Sequence, residues 1–84
     1  MGLIAAANAP KDRLMAGLRK RSVLLAGHAT SIALEPEFWA VLAEMAAGQG
    51  SSLASLVVSI DAERHDRPLA SACRVAALAY LRLS

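Results

Sequence analysis

The 84-residue chain is 56% hydrophobic but only 4% aromatic, with nine Lys and Arg against seven Asp and Glu and a formal charge of +2. A chain of this length makes one domain at most, which excludes a large enzyme, and as a monomer it buries only about 60% of its unfolded surface. Much of its apolar content is alanine, which buries little area per residue, so self-association is the expected source of the missing core.

Residues 1–18 show no sustained hydrophobic period and contain Pro10 and two glycines, the signature of a mobile arm. Met15 is an alternative start within it. The opening apolar run is short and lacks a basic flank, so it does not read as a signal peptide, and a cytoplasmic location is expected. Charge is uneven: residues 1–34 carry Lys11, Arg13, Arg19, Lys20 and Arg21 against Asp12 alone, while the remainder is slightly acidic. The expected molecule is a basic arm on an acidic body, in which Arg19, Lys20 and Arg21 are candidate phosphate contacts and otherwise an ordinary solvated charge run.

Residues 22–34 are uncharged, rich in branched side chains and broken by Gly27, so the segment reads as extended. Two arrangements are open. One is a continuous strand; the other is a hairpin whose two-residue turn is Gly27-His28, glycine first as a type II′ turn prefers, with Val23 facing Ile32 and Leu25 facing Thr30. In the hairpin, Ser22, Leu24, Ala26, Ala29, Ser31 and Ala33 fall on the face opposite the apolar set.

Glu35-Pro36-Glu37 marks the start of helix 1, expected over 36–47, because proline suits the first helical position and carboxylates suit the positive end of the dipole. Its buried stripe is Phe38, Leu42 and Met45, widened by Trp39 and Ala46. Phe38 and Trp39 together could stack on single-stranded nucleic acid, but their place at the start of an amphipathic helix favours packing. Gly48-Gln49-Gly50 ends helix 1, and Ser51 or Ser52 caps helix 2, expected over 52–64 with Leu53, Leu56, Val57 and Ile60 at i, i+3, i+4 and i+7. The uncharged run from Met45 to Ile60 is too short and too polar to span a bilayer, so no membrane is expected as a partner. Helix 3, expected over 68–83, is apolar on two sides: Leu69, Cys73, Ala76, Ala77 and Tyr80 on one, Val75, Leu78 and Leu81 on the other. Such a helix needs two partners.

The order Lys20-Arg21-Ser22-Val23, Ala26-Gly27-His28, Thr30-Ser31-Ile32, Leu34-Glu35 with Phe38-Trp39, and Ser52-Leu53 resembles the ribbon-helix-helix DNA-binding proteins, in particular a small bacterial branch. The resemblance spans roughly residues 18 to 83 and rests on order and spacing. It implies a mainly α fold with a short β-ribbon and a third C-terminal helix over residues 19–84, assembled as an intertwined homodimer in which one strand from each protomer pairs antiparallel. It also implies a dimer core of Ile32, Leu34, Phe38, Trp39, Leu42, Leu53, Leu56, Val57 and Ile60.

The same resemblance implies double-stranded DNA as the partner, read by a two-stranded ribbon in the major groove, and a role in transcription. The reading positions are Ala29, Ser31 and Ala33. Gly50, Ser51 and Ser52 would hold a phosphate at the start of helix 2. Two alanines at reading positions depart from the family's polar or basic choices, because alanine touches a thymine methyl but cannot hydrogen-bond a base. Sequence readout is therefore expected to be modest.

His28 is a further candidate DNA contact, or a histidine that merely satisfies a turn. His28, His65 and Cys73 lack metal-ligand spacing, so no metal or cofactor is expected, and Cys73 reads as a small core residue. No nucleophile elbow, acid/base pair or phosphate loop is present in the sequence, so an enzyme is not expected. The alternative is a protein-interaction module, antitoxin-like, that uses helix 3 to bind a second protein.

Overall fold

The computed structural model describes residues 17–84. Positions 1–16, with the alternative start at Met15 and the cations Lys11 and Arg13, lie outside the described residues. Two strands, β1 (Arg19–Leu25) and β2 (His28–Leu34), form an antiparallel hairpin, and three helices follow: α1 (Pro36–Gln49), α2 (Leu53–Glu63) and α3 (Leu69–Leu83).

The hairpin decides between the two arrangements left open by the sequence, but its turn lies one residue earlier than the one expected. Leu25 pairs with His28 and Val23 with Thr30, so the loop is Ala26-Gly27 rather than Gly27-His28. Both loop residues have positive φ, 52° at Ala26 and 83° at Gly27, which makes the turn type I′ rather than II′. Its backbone twist matches that of the flanking strands. Val23 therefore faces Thr30 rather than Ile32; Ala26 leaves the outward face for the turn, and the other residues keep the faces expected of them.

The inward face places Leu25, Ile32 and Leu34 in the core, with Val23 packed against it. β1 lies against α2 and β2 against α3, while α1 packs on both of the later helices. Leu34, Leu42, Val57 and Cys73 are fully buried. Each of the larger three contributes about 1.5–3 kcal/mol by leaving water.

Helix starts and stops follow local chemistry. The Glu35 carbonyl accepts from Phe38 N–H and Trp39 N–H at 2.9 and 3.2 Å, opening α1 behind Pro36, whose missing donor costs nothing there. At its other end α1 runs to Gln49, two residues beyond the expected stop. Gly50, at φ 69°, closes it. The chain then turns through 98° into α2. The Ser52 hydroxyl caps α2 by accepting from Ser55 N–H at 3.0 Å.

The buried stripe of α1 is rotated from the one expected: Trp39, Leu42 and Ala46 are buried, while Phe38 and Met45 are only half-buried. The i, i+3, i+7 set centres on the indole because Trp39 reaches under the open end of the hairpin. There its Nε1–H donates to the Arg19 carbonyl at 2.8 Å. Phe38 instead meets α3, where the Arg74 guanidinium lies 5.6 Å above its ring and bonds Glu35 Oε1 through Nε and Nη2 at 3.0 and 2.9 Å. α3 buries Ala72, Cys73 and Ala77. Val75, Leu78 and Leu81 remain 44%, 53% and 50% exposed.

Candidate nucleic-acid interface

Strand alternation sorts the hairpin into two chemistries. Across the outward face the pairs are Lys20 with Ala33, Ser22 with Ser31 and Leu24 with Ala29. Of these, Ala33 alone is half-buried; the others are exposed. The three reading positions expected from the sequence, Ala29, Ser31 and Ala33, thus lie in one row on one strand, with short side chains that leave the backbone approachable.

The three cations do not act alike. Lys20 points to the outward face, whereas Arg19 and Arg21 belong to the inward face of β1, opposite the core residues Leu34 and Ile32, and remain exposed. The Arg21 guanidinium lies 4.9 Å from the centre of the Trp39 ring. Such a cation–π contact fixes the side chain while leaving its outer edge open to an anion. Arg19, Lys20 and Arg21 line an open cleft with Pro36, Trp39, Ala40 and Ala43. His28 is exposed beside the turn but shares the inward face, so it does not join the row of Ala29, Ser31 and Ala33.

At the α1–α2 junction the three expected phosphate-holding residues have different local partners. Gly50 N–H is directed to the Ala46 and Ala47 carbonyls, and Ser51 N–H donates to the Ala46 carbonyl at 2.9 Å. These two amides are consumed in closing α1. The amides of Ser52, Leu53 and Ala54 precede the first turn's internal bonds and have no partner among the described residues. An anion at this helix start would meet Ser52 and the two residues after it.

The residues expected to form a dimer core are packed inside one chain. Ile32, Leu34, Trp39, Leu42, Leu56 and Val57 are buried there, and Phe38, Leu53 and Ile60 border the same cluster. Ser22 and Leu24 carry no role in the sequence-based expectation, although alternation already sets them on the outward face. Leu24 is 65% exposed. Cys73 is buried, and burial pushes its thiol pKa up, which makes it a poor nucleophile. No helix among the described residues is long and apolar enough by itself to cross a membrane.

Among solved structures, an uncharacterized protein from Bordetella pertussis Tohama I is similar, at 29% identity and a TM-score of 0.69 over 94% of this chain and 68% of that one. No curated protein matches the chain. The profile of the ribbon-helix-helix domain matches residues 18–81. With an antiparallel ribbon leading into paired helices over that whole span, the chain belongs to the ribbon-helix-helix domain family.

Proposed function

We propose that this protein binds double-stranded DNA as a homodimer and regulates transcription in the cytoplasm, without catalysing a reaction. The observation that carries the reading is the exposed two-stranded ribbon, whose β2 half is faced with small side chains and whose open end bears Arg19, Lys20 and Arg21. A two-stranded ribbon fits the major groove, and cations beside it meet phosphates. With three cations from each of two protomers, about six phosphates are neutralised, and the logarithm of affinity falls with the logarithm of salt at a slope near −5. Fluorescence anisotropy on duplex DNA at low and moderate salt tests this. Absence of duplex binding at low salt, or binding that ignores salt, would overturn it.

The exposed stripe of Val75, Leu78 and Leu81 supports a second reading, an antitoxin-like module that binds a protein through α3. In that case replacing the three by serine abolishes a stoichiometric protein complex and leaves any DNA affinity intact. Loss of DNA affinity with no complex to lose would count against it.

A further inference from the structure

The ribbon of this chain is completed by its own β1, so half of its outward face comes from residues that precede the turn. Ser22 lies directly opposite Ser31, Leu24 opposite Ala29 and Lys20 opposite Ala33. The face is graded along its length, with a cation at the open end, two hydroxyls in the middle and an apolar pair next to the turn. Leu24 stands out chemically. It is a leucine 65% exposed on a strand, surrounded on its face by alanine and serine, and its side chain faces away from the core.

We infer that Ser22 and Leu24 are sequence-reading residues, and that the β1 half of the hairpin, more than Ala29 and Ala33, carries what discrimination this protein has. The inference rests on the DNA-binding reading above. Its physical basis is that a base edge is recognised by a hydrogen-bonding group or a methyl-sized apolar surface. Alanine offers only the second, and with a short reach. Leu24 carries a larger apolar surface to the thymine C5-methyl, while Ser22 with Ser31 places two hydroxyls, each able to donate or accept, at one level of the groove. Lys20, on the same face, is positioned to reach guanine O6 and N7 rather than only a phosphate.

Spacing supports a concrete pattern. Successive outward residues on one strand stand about 6.8 Å apart, close to two base-pair steps of about 3.4 Å each. With the strand aligned to the duplex axis, the three levels of the face sample positions about two base pairs apart. A guanine preference belongs at the Lys20 level and a thymine preference at the Leu24 level.

The test is selection of binding sites from a random duplex library by the full chain and by Ser22→Ala, Leu24→Ala, Lys20→Met and Ser31→Ala, with thermal melting to verify that each variant is folded. Leu24→Ala is expected to reduce the thymine preference at its level by about threefold or more. Ser22→Ala and Ser31→Ala are each expected to relax the central position, and Lys20→Met to relax the guanine position rather than weaken all sites equally, as loss of a phosphate contact would. If the wild-type chain binds duplex and selects a site, but Ser22→Ala and Leu24→Ala select the same site with unchanged preference, the inference fails and the DNA reading stands. If the wild-type chain binds no duplex at low salt, both fail.

Discussion

Of the two non-glycine residues with positive φ among the described residues, Ala26 and His65, the alanine is the one whose side chain offers no local compensation. Both central residues of a type I′ turn need positive φ, and Gly27 supplies one without strain, but Ala26 at φ 52° bears the steric cost of a Cβ in the left-handed region. That cost is about 1 kcal/mol, and asparagine tolerates the same geometry far better. Ala26→Asn is therefore expected to stabilise the fold by roughly 0.5–1 kcal/mol, read as a rise of several degrees in melting temperature. A fall in melting temperature would mean that the turn is of another type. The same residue explains why sequence alone places the turn one position late. An alanine gives no sign that it will adopt positive φ, so Gly27 reads as the first loop residue of a II′ turn. The face assignments survive since the two registers differ by two residues, and strand side chains repeat every two.

At the scale of elements, two devices hold the helices in place. The first is the cap of α2, in which the Ser52 hydroxyl takes the Ser55 amide that the helix leaves orphaned. Ser52→Ala should cost about 1 kcal/mol, measured as a lowered urea midpoint with unchanged slope. An unchanged midpoint would show that water replaces the cap without loss. The second is the Arg74 guanidinium on Glu35, which ties the middle of α3 to the residue between β2 and α1.

Hydrogen bonding to its own backbone amide, followed by the Arg74 contact, holds the Glu35 carboxyl below the usual carboxylate pKa. Since the folded value is depressed, the stabilisation is complete at neutral pH and is lost as the pH falls from the ordinary glutamate value through the lowered one. Glu35→Gln should lower the unfolding midpoint at neutral pH and show a smaller difference from wild type once the solution is acidic enough to protonate the folded carboxyl. An equal deficit under both conditions would remove ionisation from the explanation. Helix existence, a serine cap at 51 or 52 and the glycine stop at the end of α1 are legible in the sequence, because they depend on residues within one turn of each other. The Arg74–Glu35 contact is not, since it joins positions 39 apart in sequence. The rotation of the α1 stripe toward Trp39 is hidden for the same reason, because it depends on the hairpin end that the indole reaches.

At the scale of the whole molecule, the core of this alanine-rich chain is thin. Four of the eleven buried apolar residues among those described are alanine or cysteine, each of which removes little surface from water. The hairpin satisfies the inner edges of both strands within one chain, so strand pairing alone no longer requires a second copy. What still calls for one is the apolar surface left outside the ribbon face: Val58, Val75, Leu78, Leu81 and Leu83 are all between 44% and 87% exposed. If association supplies the missing burial, unfolding is coupled to dissociation and the melting temperature depends on concentration. Using an unfolding enthalpy of about 0.7 kcal/mol per residue, a dimer that melts directly to unfolded chains gains roughly 8 °C for each hundredfold rise in protein concentration. Calorimetry across that range, with sedimentation equilibrium to give the mass, is the measurement. A monomer mass together with a melting temperature that does not move would show that this small core suffices alone, and that any DNA contact is made by a single ribbon.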